Sequence, residues 1–186
     1  MNVSRGTIMK KYDVLIIGAG HAGVEAAIAS DRIGAKTALI SFKKSDLGVM
    51  SCNPAMGGLG KGHLIREIDA MGGVIGLASD HSGIQFRMLN RTRGEAVQGP
   101  RAQIDRDLYK ENIQRIVRNS GVELVEGEVR DIITERKSGN ESIIGVETCS
   151  QGKLYCKKLV VTTGTFLSGV IYRGKEKWKA GRLNAR

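Results

Sequence analysis

The segment Tyr12-Asp-Val-Leu-Ile-Ile17, followed directly by Gly18-Ala-Gly20-His-Ala-Gly23, decides the fold. An apolar run that ends at a glycine is typical of a buried parallel strand. The glycines that follow have the spacing G-x-G-x-x-G. In such a turn Gly18 permits a sharp bend, Gly20 lets a pyrophosphate approach the backbone, and Gly23 lets the next helix pack on the strand. Between a strand and a helix, the spacing predicts a dinucleotide site.

The residues after the turn complete a strand–helix–strand unit. His21 to Ile33 has the periodicity of a helix with small alanines on one face, and Gly34 is a typical stop. Thr37–Ser41 is a second apolar strand. The two strands and the helix predict a βαβ unit with a right-handed crossover.

The remainder of the chain continues the α/β pattern. A second helix is predicted to end at Met71 with Leu64 on its inward face, a third from Asp105 to Asn119, and residues 73–102 are expected to be irregular. Short strands bounded by turn residues are predicted at 122–125, 129–134, 143–148, 153–156 and 159–162. This order favours a Rossmann-like, doubly wound parallel sheet with a small antiparallel β-meander.

Composition and charge set limits on the class of protein. With 186 residues, 41% hydrophobic and 26% charged, the chain resembles one soluble domain. We expect a disordered segment at 1–11, a nucleotide-binding domain at 12–172 and a basic tail at 173–186. The tail holds six basic residues against Glu176 alone, half of the net charge of +10. Such a run favours a solvated tail over a nucleic-acid surface.

Cysteine usage and hydropathy indicate a cytoplasmic protein. No apolar run approaches the roughly 20 residues that cross a bilayer, so no membrane association is expected. Cys52, Cys149 and Cys156 are an odd number without CxxC spacing, which argues against a disulfide framework or a zinc site. The three histidines show no metal-ligand spacing either, and we expect no metal.

One usual feature of a dinucleotide site is missing from the sequence. An acidic residue near the end of the second strand usually holds the ribose, but Ser41-Phe-Lys-Lys44 occupies that place and Asp46 comes late. Either Ser41 or a backbone group holds the ribose, or another part of the chain does. Farther along, Thr162-Thr-Gly164-Thr-Phe166 follows a buried strand and is similar to the second fingerprint of flavoproteins that bind two dinucleotides.

The glycine-rich loop Met50–His63 is the most distinctive stretch. It is not a Walker A loop, since Ala55 replaces the first glycine and Gly62 replaces the Ser or Thr that binds magnesium. Its glycines around one lysine form a candidate second cradle for an anion. Cys52 is a candidate reactive thiol, although a lone cysteine is more often an inert small apolar residue.

Three arginines lie in or directly after the stretch that is expected to be irregular. Arg87, Arg101 and Arg106 are candidates to contact phosphates of a cofactor or of RNA. The alternative is that they pair with Asp105, Asp107 or backbone carbonyls.

Five motifs in collinear order resemble the GidA (MnmG) family of tRNA-modifying flavoproteins, over about residues 10–174. They are Gly20-His-Ala-Gly-Val-Glu-Ala-Ala27, the loop Met50–His63, Gln85-Phe-Arg87, Arg101-Ala-Gln103 and Gly164-Thr-Phe-Leu167. The cysteine-containing loop is much more specific than the glycine turn.

The resemblance implies an FAD enzyme that works with an MnmE-type GTPase. Together they add a carboxymethylaminomethyl group at C5 of the wobble uridine (U34) of certain tRNAs, with methylenetetrahydrofolate as one-carbon donor, NADH as reductant and a homodimeric enzyme. By the same resemblance Cys52 is catalytic and Val129 contacts the adenine side of FAD. The residues that hold FAD are then Gly18, Ala19, Gly20, His21, Ala22 and Gly23.

The chain also departs from the family. Glu95 stands where a proline is common, and the sequence is less than a third of the family's length. We therefore expect a truncated domain that alone binds FAD weakly and is inactive. The alternatives are a non-catalytic nucleotide-binding module, and another FAD-dependent oxidoreductase such as a folate-dependent tRNA uridine methyltransferase.

Overall fold

The computed structural model describes residues 10–51 and 53–181. These residues form eleven strands and four helices. The strands are β1 Lys11–Ile17, β2 Thr37–Ser41, β3 Ala55–Gly57, β4 Gly83–Leu89, β5 Gly99–Ile104, β6 Glu123–Glu126, β7 Val129–Lys137, β8 Asn140–Thr148, β9 Gly152–Val161, β10 Val170–Arg173 and β11 Glu176–Lys179. The helices are α1 His21–Arg32, α2 Lys61–Ala70, α3 Ile75–Asp80 and α4 Arg106–Arg118, with 3-10 turns at Lys44–Asp46 and Glu95–Val97.

The main sheet has six strands in the order β6-β2-β1-β9-β8-β7. Neighbours from β6 to β9 pair in parallel, while β9–β8 and β8–β7 pair antiparallel. The predicted α/β class, a mainly parallel doubly wound sheet with an antiparallel meander, is confirmed. Because α1 links β1 to β2 while β9 lies on the other side of β1, the strand order reverses between β1 and β9.

Both faces of the sheet are covered. Successive residues of a strand point to opposite faces, and in β1 Leu15 and Ile16 are both completely buried. Ile16 belongs to the larger core, where Val24 of α1 and Ile113 of α4 pack beneath the parallel strands. Leu15 belongs to a smaller core with residues of the meander such as Leu154. The parallel strands are therefore held rigidly on both sides.

Strand β9 is one continuous strand, and the prediction of two strands at 153–156 and 159–162 is wrong. Its first half pairs with β8, and its register with β1 runs from Tyr155 to Val161. The polar pair Lys157-Lys158 interrupts the apolar pattern of the sequence and so suggests a gap between two strands, but in the structure both side chains are simply exposed. The Lys157 ammonium lies 2.7 Å from the Asp13 carboxylate on β1, and Lys158 is paired in register with Val14, so the strand continues across this pair.

Residues 73–102 are mostly regular, so the expectation of irregular chain is also wrong. They contain α3, β4 and part of β5, and β3-β5-β4 form a separate antiparallel sheet. Strand β4 alternates Ile84, Phe86 and Met88 with Gln85 and Arg87, which is the pattern of a strand, although its side chains are mostly exposed. Leu64 was predicted to face inward but is 60% exposed, because α2 contacts the protein on the side of Gly62 and Ile65.

The predicted segments at the two ends of the chain can be compared with the structure. The first part of the predicted basic tail is not a separate segment, because β11 pairs with β10, which begins at Val170, and the hairpin is closed by an ion pair of 2.8 Å between Arg173 and Glu176. Residues 182–186 of the tail and residues 1–9 of the predicted disordered segment lie outside the described residues. Lys11 of that segment is the first residue of β1. Over residues 10–51 and 53–181, no helix combines the length and apolarity needed to cross a membrane.

Candidate nucleotide-binding site

The candidate site lies where four parallel strands end. The carboxyl ends of β6, β2, β1 and β9 meet at one edge of the sheet, which is where ligands of open α/β sheets bind. The glycine turn follows β1, Val129 comes shortly after β6, and Thr162 follows β9. Predicted site residues far apart in sequence are thus brought to the same edge.

The glycine turn is tight, and two of its glycines are sterically required. Gly18 has a φ of 102°, a conformation that favours glycine, and its N–H donates to the Ile40 carbonyl on β2 at 2.8 Å. A Cβ on Gly18 would clash with the backbone of Thr162, and a Cβ on Gly23 would clash with the Gly18 carbonyl. The turn therefore brings α1 directly against β1 and the end of β9.

Thr162 joins the two fingerprints of the sequence. Its N–H donates to the Ile17 carbonyl at 2.8 Å. Its hydroxyl lies 2.8 Å from the same carbonyl and 3.0 Å from that of Gly18. These bonds satisfy the backbone acceptors at the point where β1 ends. The second fingerprint therefore holds the first one in place.

The start of α1 offers unpaired donors to a ligand. Gly20 is its N-cap and has no side chain to cap the helix. Within the described chain, Val24 is the first residue of α1 whose N–H bonds back, to the Gly20 carbonyl at 3.0 Å. The N–H groups of His21, Ala22 and Gly23 are left without a protein acceptor there. Together with the positive end of the helix dipole, they form a site suited to a phosphate.

The position of Gly20 leaves room for that ligand. A Cβ built on Gly20 meets no described atom within 4 Å, unlike a Cβ on Gly18 or Gly23. The outer glycines are therefore required by packing, and the middle one keeps open the surface that a pyrophosphate would approach. The residues present fit the pyrophosphate of a dinucleotide such as FAD.

His21 is a half-buried residue at the start of α1. Its Nδ1 is hydrogen-bonded to the Tyr109 hydroxyl at 3.1 Å, and the two rings meet edge to face with centroids 5.6 Å apart. Burial, followed by the charge of Lys61, lowers the pKa of His21 to about 4, and burial raises that of Tyr109. Both are therefore neutral at physiological pH. The His21 Nε2 is buried without a hydrogen-bond partner in the described chain.

Two further segments support the turn. Gly48, with a φ of 76°, donates its N–H to the Ala19 carbonyl at 3.3 Å, and a Cβ there would press on Ile113 of α4. The Glu25 carboxylate accepts from the N–H groups of Val74 and Ile75, at 2.9 and 2.6 Å, and so caps α3. A narrow crevice next to His21 lies between these segments.

Sequence reasoning missed an acidic residue at this edge. The end of β2 carries no carboxylate, but Ser41 is in register with Glu126 of the neighbouring strand β6. The Lys44 N–H donates to Glu126 Oε2 at 2.9 Å. Glu126 is far from Ser41 in sequence, and no local signal shows which strand lies beside β2. Only the sheet order reveals that a carboxylate is present there.

The glycine-rich loop is held by its own polar groups. The Lys61 ammonium donates to the Ala55 carbonyl at 3.2 Å, and the Gly60 N–H donates to His63 Nδ1 at 3.2 Å. The Arg106 guanidinium donates to the Met50 carbonyl at 3.3 Å, which is the backbone pairing considered for it. Cys52 lies outside the described residues, so its catalytic role stays a prediction.

The other two arginines lie elsewhere. Arg87 and Arg101 are directly opposite each other on β4 and β5, and both are exposed. They do not join the glycine turn. Over residues 10–51 and 53–181, no group of three or more His, Cys, Asp or Glu side chains converges in a way that could hold a metal ion.

Comparison with known proteins identifies the family. A family model described as "Glucose inhibited division protein A" matches residues 13–186. The chain belongs to this family. A curated relative from Aliarcobacter butzleri, named tRNA uridine 5-carboxymethylaminomethyl modification enzyme MnmG, is 49% identical over 92% of this chain and 27% of its own length. Its namesake from Granulibacter bethesdensis is 48% identical over 98% of this chain and 29% of its own length.

A solved structure has the same architecture. The GidA of Aquifex aeolicus is 47% identical, with a TM-score of 0.86 over 95% of this chain and 29% of that chain. The resemblance stated from the sequence motifs is thus confirmed at the level of the family and the fold. The chain spans less than a third of the length of these relatives.

The burial of His21 predicts a loss of stability in mild acid. The pKa of a histidine in the unfolded chain is about 6.5, whereas the pKa of His21 in the folded chain is about 4. Between these values only the unfolded chain takes up the proton, so stability falls as the pH falls. We expect the free energy of unfolding to lose about 2 kcal/mol from this residue between about pH 7 and pH 5.

Denaturant unfolding of the His21→Gln variant at both pH values checks this. The variant is expected to lose correspondingly less stability than the wild type on acidification, and His81→Gln, at an exposed histidine, serves as the matched control. Equal losses in the wild type and in His21→Gln would contradict the assignment.

The unequal surroundings of the glycines predict separable effects. Gly23→Ala pushes a methyl group into the Gly18 carbonyl and should lower the free energy of unfolding by about 1–3 kcal/mol. Gly20→Ala meets open space and should cost less than about 1 kcal/mol as an N-cap change. Its methyl group should instead obstruct a bound pyrophosphate. Thermal unfolding and FAD affinity are measured on both variants, and equal destabilisation by the two would refute this division of roles.

Proposed function

We propose that this chain is the FAD-binding portion of an enzyme that modifies the wobble uridine of tRNA. Membership of the glucose inhibited division protein A family supports the proposal, as does the tRNA-modifying activity for which relatives of 48–49% identity are named. The observation that carries the FAD assignment is the glycine turn, where three unpaired N–H groups surround the open position at Gly20.

In this proposal different residues bind different parts of FAD. The backbone of Gly18, Ala19, Gly20, His21, Ala22 and Gly23 holds the pyrophosphate at the start of α1. Val129, beyond the end of β6, contacts the adenine side. Glu126 takes the place of the missing acidic residue and accepts from the ribose, since its Oε1 is left when Oε2 binds the Lys44 N–H. When bound, the flavin supplies reversible uptake and release of reducing equivalents.

His21 contributes shape and a fixed protonation state. With Tyr109 on its Nδ1 and a pKa of about 4, the imidazole stays neutral near pH 7. A neutral ring adds no charge that would hold the phosphates in a competing position, so the helix N–H groups determine where they sit. The residue is a positioning group rather than a proton donor.

The reaction itself is proposed for the whole enzyme. In this proposal a Cys52 thiolate adds to C6 of the uridine ring and makes C5 electron-rich. C5 then bonds to the one-carbon unit, and loss of the C5 proton to a base expels the thiolate and restores the C5–C6 double bond. Methylenetetrahydrofolate supplies the one-carbon unit, NADH supplies reducing equivalents, and an MnmE-type GTPase acts with a homodimeric enzyme in the cytoplasm. Because the chain spans 27–29% of its curated relatives, only the flavin-holding part is assigned to its described residues.

The proposal predicts selective retention of FAD. The purified chain is brought to equilibrium by dialysis against FAD or against FMN, and the flavin held on the protein side is measured by visible absorption, so that weak binding is also detected. More FAD than FMN should be retained, because the pyrophosphate and adenosine of FAD meet the glycine turn and the end of β6, whereas FMN lacks the adenosine half. No excess of FAD on the protein side, or equal retention of both flavins, would count against the assignment.

A further inference from the structure

The hairpin formed by β4 and β5 carries two arginines that face each other. Arg87 is paired in register with Arg101, and Gln85 is paired with Gln103. Residues two apart on a strand lie on the same face, so the four side chains form one polar patch on the small sheet. Both arginines are exposed, and neither makes an ion pair or a side-chain hydrogen bond within the described chain.

The charge of the hairpin is strongly one-sided. Residues 83–104 contain four arginines and Glu95 as their one acidic residue. The arginines are Arg87, Arg91, Arg93 and Arg101. The hairpin therefore concentrates positive charge that the described protein does not neutralise.

Two like charges directly opposite each other oppose strand pairing. Such pairs destabilise the pairing of the two strands. An anion between the two guanidinium groups would turn this repulsion into attraction. Arginine binds phosphate oxygens in a planar, bidentate way, and glutamine amides contact phosphate and sugar oxygens. The chemistry of the patch thus fits phosphodiester groups.

The tip of the hairpin is internally braced. The Arg93 N–H donates to the Asn90 carbonyl at 2.8 Å, and the Asn90 amide donates to the Val97 carbonyl at 2.9 Å. The Gln98 amide donates to the Arg93 carbonyl at 2.8 Å. These bonds fix the backbone from which Arg91 and Arg93 project, so their charges are presented beside the Arg87–Arg101 pair without a large ordering cost.

The hairpin is also connected to the loop that carries Cys52. Strand β5 pairs with β3, and the Ile104 N–H donates to the Pro54 carbonyl at 2.8 Å. Pro54 is two residues from Cys52 in sequence. A polyanion that lies along the hairpin therefore runs beside the segment that contains the proposed catalytic thiol.

We propose that the β4–β5 hairpin binds the phosphate backbone of the RNA substrate through Arg87 and Arg101. The inference rests on the proposed function for the identity of the polyanion as tRNA. It assigns positioning rather than base recognition to this surface, because arginine–phosphate contacts fix register without reading sequence.

Affinity for a tRNA transcript, measured at several salt concentrations, tests the proposal. The double variant Arg87→Gln/Arg101→Gln should bind about tenfold more weakly at moderate salt, and its salt dependence should be shallower by about 1.5 in the log–log slope, since two phosphate contacts are lost. The control Arg118→Gln/Arg136→Gln removes the same charge from exposed positions on α4 and β7 and should change the slope much less. Unchanged thermal unfolding shows that each variant is folded.

The outcomes separate the two proposals. Equal losses in the test and control variants, or a wild-type chain that does not bind the transcript, would overturn the role of the hairpin. Retention of FAD is measured on the same samples. If RNA binding depends on Arg87 and Arg101 while FAD is not retained, the hairpin assignment stands and the proposed flavin function fails. If FAD is retained but the salt dependence of RNA binding is unchanged in the double variant, the proposed flavin function stands and the hairpin assignment fails.

Discussion

The close approach of α1 to the ends of β1 and β9 is the constraint on which the site depends. It requires the absence of side chains at Gly18 and Gly23, where a Cβ would meet the backbone of Thr162 and the Gly18 carbonyl, respectively. The Thr162 hydroxyl in turn lies within hydrogen-bonding distance of both carbonyls at the end of β1. A helix seated this closely on the sheet points its first N–H groups over the sheet edge, where a phosphate would be bound.

Contacts with three surrounding segments hold the glycine turn and α1 in place from one side. Tyr109 links α4 to His21, and Gly48 links the segment after β2 to the turn. The Glu25 carboxylate joins α1 to α3. These contacts bury His21 and favour its neutral form, so the electrostatic attraction for a phosphate comes from backbone N–H groups. The same α4 is continuous with β5, which connects the nucleotide site to the basic hairpin.

The parts predicted well from sequence have strong local signals. The order β1, α1, β2 follows from a buried apolar run, a glycine turn and a helical period within a short stretch. Helix α4 has an equally clear beginning, because the Asp105 carboxylate accepts from the N–H groups of Asp107 and Leu108. Tyr109, Ile113 and Val117, which recur at helical spacing along α4, are buried.

The parts that were missed depend on contacts distant in sequence. Strand β9 continues through the polar pair Lys157-Lys158 because its backbone is paired in register with β1. Strand β4 is the exception, since its alternation of Ile84, Phe86 and Met88 with polar residues is a local signal. Glu126 reaches the end of β2 through sheet order alone. The facing arginines illustrate the same point, since the sequence contains both residues but only the register places Arg87 opposite Arg101.

The central claim is that the first N–H groups of α1 bind the pyrophosphate of FAD. The most direct test is a titration of the ¹⁵N-labelled chain with FAD, followed through the amide resonances of individual residues. The account predicts that the largest shifts occur at Gly20, His21, Ala22 and Gly23, and that ADP, which retains the pyrophosphate, reproduces them. Shifts centred on the loop Gly57–Gly62 instead, with the amides of α1 unaffected, would contradict it.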